Sequence, residues 1–315
     1  MPADSQDKKS KYLGCLLGGA LGDAIGELAF RYRDRQSLEA ALARAEMLRY
    51  TDDTAMALGL AESLARRGIL DQEDLGRTFH RNFLKEPWRG YAGGPPTVFQ
   101  MAQGLGLSYV EAARLLFGGA GSFGNGAAMR VAPLGLFFYD SPEIYEQAAA
   151  SAAVTHAHPL GADGAAVQAL AVAQAVKLNP REPFPREAFL AGLRACARTP
   201  EMQAKLCLLG DLLAAATPPA AAARALGQSV AVDESLPFAL FAFLSHPHSY
   251  ADCLWDAVLH GGDRDTLGAM AGAVSGAYLG LGAIPRHWLE KLENHRLIEA
   301  AALALLARAP RQNKE

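Results

Sequence analysis

Glycine recurs at every fourth position in two stretches of the chain, and this spacing restricts the fold more than any other feature. The first set is Gly14, Gly18, Gly22 and Gly26, and the second is Gly268, Gly272, Gly276 and Gly280. In a helix each set forms a stripe without side chains, at a cost of about 0.5 to 1 kcal/mol per glycine relative to alanine. Close packing of two backbones would offset that cost. We therefore predict two helices that cross closely in the core; the alternative is chance spacing in a chain rich in glycine and alanine.

The rest of the chain also has a helical pattern. Alanine and leucine recur at helical spacing, whereas alternating runs of β-branched residues are nearly absent. The pattern predicts an all-α fold, a compact orthogonal bundle of many helices. Because no proline-rich break has the length of a linker, we expect a polar N-terminal tail at 1–11 and a single domain at 12–310. The uncharged stretch from Thr266 to Ile284 could span a bilayer, but its many small residues favour a buried helix.

Charge and cysteine content narrow the possible functions. The 315 residues include 30 basic and 33 acidic side chains, for a net charge of −3. Non-specific nucleic-acid binding draws on a basic surplus, which is missing here, so we expect a small-molecule or protein-linked ligand. The four cysteines form no Cys-x-x-Cys pair, which argues against a disulfide scaffold or a zinc knuckle. The polar start of the chain favours a cytoplasmic location, and we expect a monomer without a membrane partner.

Two acidic clusters precede strongly apolar helical stretches. They are Tyr50-Thr51-Asp52-Asp53-Thr54 and Gly261-Gly262-Asp263-Arg264-Asp265-Thr266. Short polar residues cap helices and complement the helix dipole, and capping explains either cluster taken alone. Four acids placed together in an apolar bundle would be costly without cations, so the pair of clusters indicates a metal site.

The donor types indicate which metal such a site would hold. Carboxylates and threonine hydroxyls are hard oxygen ligands, which suit Mg²⁺, Mn²⁺ or Ca²⁺. The pairs His156/His158 and His246/His248 have no third histidine or cysteine at a supportive spacing. Zinc is therefore disfavoured.

Together these motifs resemble the ADP-ribosylhydrolase (ADP-ribosylglycohydrolase) family, which includes the dinitrogenase-reductase-activating glycohydrolases, from about Gly14 to Trp288. The run Gly22-Asp23-Ala24-Ile25-Gly26 looks like the opening signature of the family, and the two acidic clusters look like its paired dimetal motifs. The runs Gly121-Ser122-Phe123-Gly124-Asn125-Gly126-Ala127-Ala128-Met129-Arg130 and Arg89-Gly90-Tyr91 are most similar to the serine-specific branch. The resemblance implies an all-α orthogonal bundle that binds ADP-ribose in a cleft over two Mg²⁺ ions.

The resemblance also implies a role for individual residues. The ligands of two Mg²⁺ ions, or of Mn²⁺, would be Thr51, Asp52, Asp53, Asp263, Asp265 and Thr266. The ADP-ribose would contact Gly90, Tyr91, Phe117, Gly121, Ser122, Phe123, Gly124, Asn125 and His156. Ser122 and the backbone after it would bind the diphosphate or distal ribose, Phe117 and Phe123 would flank the adenine, and His156 would point at the distal ribose. Without the resemblance, a flexible glycine loop and core phenylalanines would be the simpler interpretation.

Three carboxylates are candidates for activating water. Asp53 and Asp263 would align or deprotonate it at the anomeric carbon. Family members commonly carry a glutamate seven residues after the aspartate of the opening signature, where this chain has Phe30. Glu27 is the nearest acid and the third candidate.

The predicted reaction is Mg²⁺-dependent removal of ADP-ribose from a serine oxygen of a modified protein. The same site could instead cleave ADP-ribosyl-arginine, poly(ADP-ribose) or O-acetyl-ADP-ribose. A catalytically silent ADP-ribose-binding protein is an alternative from another class. A third possibility is an ion-stabilised helical scaffold without affinity for nucleotides.

Overall fold

The structure, a computed structural model, describes residues 3–309, and it is built of helices joined by short loops. The helices are α1 (Ala3–Ala29), α2 (Arg35–Arg44), α3 (Asp52–Arg67), α4 (Gln72–Lys85), α5 (Gly94–Leu105), α6 (Tyr109–Arg114), α7 (Ala132–Phe137), α8 (Ile144–Ala153), α9 (Pro159–Lys177), α10 (Arg186–Cys196), α11 (Pro200–Ala214), α12 (Pro219–Leu226), α13 (Val232–Ser245), α14 (Tyr250–His260), α15 (Arg264–Leu279), α16 (Arg286–Leu289) and α17 (His295–Arg308). Within residues 3–309 there is no strand, and β-pairing is limited to isolated bridges at Leu48–Leu292 and Gly124–Ala231. The all-α prediction is confirmed.

The two glycine stripes pack against each other in the centre of the molecule. A Cβ atom built on Gly22 would lie 1.9 Å from the carbonyl oxygen of Gly268, and one on Gly18 would lie 2.6 Å from that of Gly272. A Cβ on Gly14 would lie 2.4 Å from the carbonyl oxygen of Gly276. Because later residues of α1 meet earlier residues of α15, the two helices run antiparallel. The predicted close crossing is confirmed, and no side chain fits between the backbones.

Helix α15 is buried on every side. Its residues from Thr266 to Tyr278 are all buried, and it packs against α1, α9, α13 and α14. No helix among residues 3–309 is long and apolar enough to cross a membrane. The predicted buried helix is therefore confirmed in α15, which ends at Leu279, and Gly280 with φ 78° follows as its C-cap.

The start of the chain forms the beginning of α1. The stretch assigned to a polar tail is helical from Ala3 onward and continuous with α1. Lys11 is 3% exposed and donates hydrogen bonds to the carbonyls of Val176 and Leu178, at 3.1 and 2.5 Å. These carbonyls lie at the C-terminal end of α9, where a cation complements the helix dipole. The prediction of one domain at 12–310 stays a prediction.

Candidate active site

A cavity of about 830 Å³ opens between the N-terminal ends of α3 and α15 and the glycine-rich segment before α7. It collects most of the site residues predicted from the sequence, namely Asp52, Asp53, Gly90, Phe117, Ser122, Phe123, Gly124, Asn125, His156, Asp263, Asp265 and Thr266. Acidic groups lie along one wall, and the glycine-rich turn with its aromatic side chains forms another. The two acidic clusters, one near each end of the chain, thus share one cavity.

The first acidic cluster is fixed by a buried carboxylate beneath it. Asp23 in α1 accepts hydrogen bonds from the backbone N–H of Thr51 and of Thr54 at 3.0 Å, and from the Thr54 hydroxyl at 2.6 Å. Thr51 is the N-cap of α3, and its hydroxyl donates to Asp53 Oδ2 at 3.1 Å. The other carboxylate oxygen of Asp53, Oδ1, is buried without a hydrogen-bond partner.

The second cluster opens α15. Asp263 is the N-cap residue but makes no capping hydrogen bond with its side chain; instead its Oδ2 accepts from Asn125 Nδ2 at 2.7 Å. Asp265 Oδ1 accepts from the N–H of Thr266. Arg264 donates to the carbonyl of Val258 at 2.7 Å and does not line the cavity. Its positive charge therefore does not occupy the space between the carboxylates.

The acids repel one another. Burial, followed by the charges of Asp23 and Asp263, raises the pKa of Asp52 to about 7. Burial and the charges of Asp263 and Asp23 raise the pKa of Asp265 to about 8. Burial, with the charges of Asp23 and Asp265, also raises the pKa of Asp53 well above its usual range. Desolvation beside like charges destabilises an ionised carboxylate, and a bound cation would stabilise it.

The donor set fits a hard cation. All its atoms are oxygens, and Asp53 Oδ1 is a buried acceptor without a donor. Among residues 3–309, however, no group of three or more His, Cys, Asp or Glu side chains is arranged to hold a metal ion as it stands. An ion here would need threonine hydroxyls and water beside the carboxylates, or a rotation of the side chains.

The glycine-rich wall has an unusual backbone. Phe117 has φ 54° and ψ 44°, in the left-handed region that is rare for a bulky residue, and its side chain is 71% exposed at the cavity mouth. Gly121 has φ 75°, and a Cβ there would lie 2.6 Å from the backbone nitrogen of His158. Strained backbone of this kind is concentrated at ligand sites. The N–H of Gly124 donates to Ser122 Oγ at 3.2 Å, which shapes the turn.

A neutral histidine and a buried arginine lie next to this turn. His156 is bonded through Nδ1 to the Thr155 hydroxyl at 2.7 Å, and burial, with the charge of Arg130, lowers its pKa to about 3. Arg130 is fully buried and donates to the carbonyl of Gly126 at 3.2 Å. Burial lowers the pKa of Arg130 to about 9, against the opposing charge of Asp52. His156 is therefore an uncharged hydrogen-bonding group in the cavity.

Four predicted residues do not line the cavity. Thr51 and Gly121 lie behind the cavity wall: the Thr51 hydroxyl donates to Asp53, and Gly121 packs against the backbone of His158. Tyr91 packs its ring edge-on against Phe83, with 5.1 Å between ring centroids. Glu27 lies half-buried in the last turn of α1, so the structure does not bring it to the cavity as a water-activating group.

Sequence reasoning missed several residues that shape the site. It assigned no site role to Asp23, although this residue belongs to the opening signature, or to Arg130. It also missed the segment Ser229–Ala231, which lines the cavity and bonds to the glycine-rich turn: the N–H of Asn125 donates to Val230 O at 2.9 Å. Asp23 is a charged residue within the otherwise apolar stretch that carries the first glycine stripe, and this contrast was the one sequence signal for its role. Nothing in the sequence marks Val230.

The family model for ADP-ribosylglycohydrolase matches residues 4–315. The chain therefore belongs to the ADP-ribosylglycohydrolase family and is a hydrolase that acts on glycosidic bonds of ADP-ribose.

Individual relatives align over nearly the whole chain. ADP-ribosylhydrolase ARH3 of Homo sapiens is 34% identical, over 94% of this chain and 93% of the relative. The ADP-ribosyl-dinitrogen reductase glycohydrolase of Rhodospirillum rubrum is 30% identical, over 94% and 96%. The solved structure of an ADP-ribosylglycohydrolase-related protein complex has a TM-score of 0.71 at 26% identity and covers 97% of this chain and 100% of its own.

Proposed function

We propose that this enzyme is a Mg²⁺-dependent hydrolase that releases ADP-ribose from serine side chains of modified proteins. The observation that carries the proposal is the single cavity that joins four carboxylates to a glycine-rich turn. The run from Gly121 to Arg130, which resembles the serine-specific branch, forms that turn and supports the serine linkage.

The acidic wall suits two divalent ions. Thr51, Asp52, Asp53, Asp263, Asp265 and Thr266 would hold them. When bound, such ions supply positive charge that polarises a water molecule and orients ribose hydroxyls. They would also remove the repulsion that raises the pKa of Asp52 and Asp265.

The glycine-rich wall suits the nucleotide. The exposed rings of Phe117 and Phe123 offer flat apolar faces to an adenine. Backbone N–H groups of the turn around Gly124 would face the diphosphate, since a glycine-rich turn can present several N–H groups to one anion. His156, held neutral, would bond a hydroxyl of the distal ribose.

The chemistry then takes place at the carboxylates. Water adds to the anomeric carbon as the bond to the serine oxygen breaks, and the proton lost by water is returned to that oxygen, so the products are ADP-ribose and an unmodified serine. Asp53 is our first candidate for taking the proton from water, because its Oδ1 has no other hydrogen-bond partner. Asp263 is the second, and its bond from Asn125 would hold it in place.

A panel of substrates tests the proposal. Peptides carrying serine-linked or arginine-linked ADP-ribose, poly(ADP-ribose) and O-acetyl-ADP-ribose are each assayed with Mg²⁺, with Mn²⁺ and with chelator. We expect the fastest release from serine with Mg²⁺ and loss of activity with chelator. Faster cleavage of another linkage, or full activity in chelator, would contradict the corresponding part of the proposal.

Thermal unfolding separates the silent alternatives from an enzyme. We expect Mg²⁺ to raise the melting temperature and ADP-ribose to raise it further, because each ligand binds only the folded chain. Both shifts without turnover of any substrate would indicate a silent ADP-ribose-binding protein. A shift with Mg²⁺ alone would indicate an ion-stabilised scaffold.

A further inference from the structure

Trp88 is the one tryptophan on the protein surface. The three tryptophans of the chain are Trp88, Trp255 and Trp288; the latter two are 5% and 7% exposed, whereas Trp88 is 72% exposed. A single exposed apolar residue is ordinary in itself. The position of Trp88 beside the cavity is what makes it informative.

The backbone that carries Trp88 is held in place by a buried arginine. The residues Glu86 to Arg89 form a turn closed by a hydrogen bond from the N–H of Arg89 to the carbonyl of Glu86 at 3.4 Å. The Arg89 guanidinium bonds Glu86, Glu293 Oε2 at 2.6 Å and the carbonyl of Tyr50 at 3.1 Å, and lies 4.1 Å from the centroid of the Tyr50 ring. Since Tyr50 is the first residue of the first acidic cluster, this network fixes the turn relative to the reaction site.

The turn leads straight to the acidic wall. Gly90 lines the cavity, and a Cβ built on it would lie 3.8 Å from Asp52 Oδ1. Two residues span at most about 7 Å, so the Cα of Trp88 lies within that distance of the Cα of Gly90. Trp88 does not line the cavity itself, but its backbone lies beside Gly90, the lining residue next to Asp52. On the proposed function, the leaving serine and its polypeptide emerge at the acidic wall.

A cationic side chain belongs to the same surface. Arg49 is 72% exposed, and its Nη1 lies 3.6 Å from Glu293 Oε1, the carboxylate that also binds Arg89. The rim beside the acidic wall thus carries an aromatic face and a partly neutralised guanidinium on a rigid base. Tryptophan and arginine are the side chains that most often dominate protein contacts.

We propose that Trp88 contacts the polypeptide that carries the ADP-ribose and so determines selectivity for protein over small substrates. The occupant is an extended segment flanking the modified residue, which packs on the indole while the ADP-ribose fills the cavity. This inference rests on the proposed function for the end of the cavity at which the bond is broken. Trp88 is a specificity residue and not a catalytic one.

Two substrates with the same scissile bond provide the test: a peptide carrying serine-linked ADP-ribose, and the free ADP-ribosyl-serine conjugate. We expect Trp88→Ala to raise KM for the peptide about tenfold with kcat unchanged, a loss typical of a truncated contact residue. For the free conjugate we expect both constants within about twofold of the parent enzyme. Trp88→Phe, which retains an aromatic face, should restore most of the peptide KM.

Leu105→Ala is the matched control. Leu105 is 66% exposed at the far end of α5, about 16 Å along the helix from Gly94 at the cavity. The inference is overturned if Trp88→Ala leaves the peptide KM unchanged, if it affects both substrates equally, or if Leu105→Ala has the same effect. If the parent enzyme cleaves only an arginine linkage, the proposed linkage fails, and the corresponding arginine-linked pair tests Trp88 by the same criteria.

Discussion

Each acidic cluster contains two aspartates and at least one threonine, but the two clusters are held in different ways. The first, at Thr51–Asp53, depends on directed hydrogen bonds to the buried carboxylate of Asp23. The second, at Asp263–Thr266, depends on steric fit: a Cβ on Gly26 would lie 2.3 Å from the carbonyl oxygen of Arg264 and 2.5 Å from the Cα of Asp265. Polar bonds therefore position the first cluster, whereas the helix that carries the second is positioned by the absence of side chains on Gly26, and Asn125 adds one hydrogen bond to Asp263. Each should fail under a different kind of substitution.

Asp265→Ala should have the largest effect. It removes a carboxylate that we propose as a metal ligand, so we expect kcat/KM to fall about a thousandfold, or ~4 kcal/mol of transition-state stabilisation. Stability without metal should not fall, because the substitution relieves repulsion among the buried acids. Turnover and thermal unfolding are measured together. The exposed Asp211→Ala is the control, and an active Asp265→Ala enzyme would refute the dimetal site.

Gly22→Ala should have the next largest effect, because it disrupts the close packing of α1 against α15. The added Cβ would lie 1.9 Å from a backbone carbonyl oxygen in α15, so we expect a loss of about 3 kcal/mol in the free energy of unfolding. Gly104→Ala is the matched control, because a Cβ there meets nothing within 4 Å and alanine favours a helix by about 0.5 to 1 kcal/mol. Denaturant unfolding of both variants gives the comparison. Equal stabilities would show that the crossing can open at little cost.

Asp23→Asn breaks the polar support with almost no change in volume. The amide oxygen of asparagine can take the Oδ2 position that accepts from Thr54, but its NH₂ group then faces the N–H of Thr51 as donor against donor, at a cost of about 2 kcal/mol. We also expect kcat to fall ten- to a hundredfold, as is usual when a group that orients metal ligands is lost. Thr54→Val, which removes only one of these donors, should have a smaller effect. A variant with full activity would mean that the first cluster does not need Asp23.

These differences explain what the sequence could predict. The crossing of α1 and α15 is encoded in a local repeat, since a glycine at every fourth position marks one face of a helix. The capping role of Thr51 is equally local. The hydrogen bonds of Asp23 span 28 and 31 residues, and Lys11 reaches carbonyls 165 and 167 residues away. No periodic pattern marks such partners, so the sequence alone does not predict that the chain is helical from Ala3 onward.

The same contrast between local and long-range signals separates the site residues that the sequence predicts from those that it does not. Most of those predicted by motif line the cavity, because a motif preserves the local backbone that presents them. Glu27 does not, since its direction depends on where α1 ends relative to the loop after it. Val230 could not be predicted at all, because its place in the cavity follows from a backbone bridge between Gly124 and Ala231.

The smallest effect should come from Asn125, the residue that links the two walls. Its side chain donates to Asp263 at 2.7 Å, while its backbone N–H bonds the carbonyl of Val230. Asn125→Ala removes only the first of these bonds, worth about 1 to 1.5 kcal/mol, so we expect kcat to fall about tenfold. Ser122→Ala alters the same wall without touching Asp263, and it should raise KM while leaving kcat nearly unchanged. If Asn125→Ala instead raised KM alone, Asn125 would bind the nucleotide without positioning Asp263, and the second cluster would depend on backbone packing only.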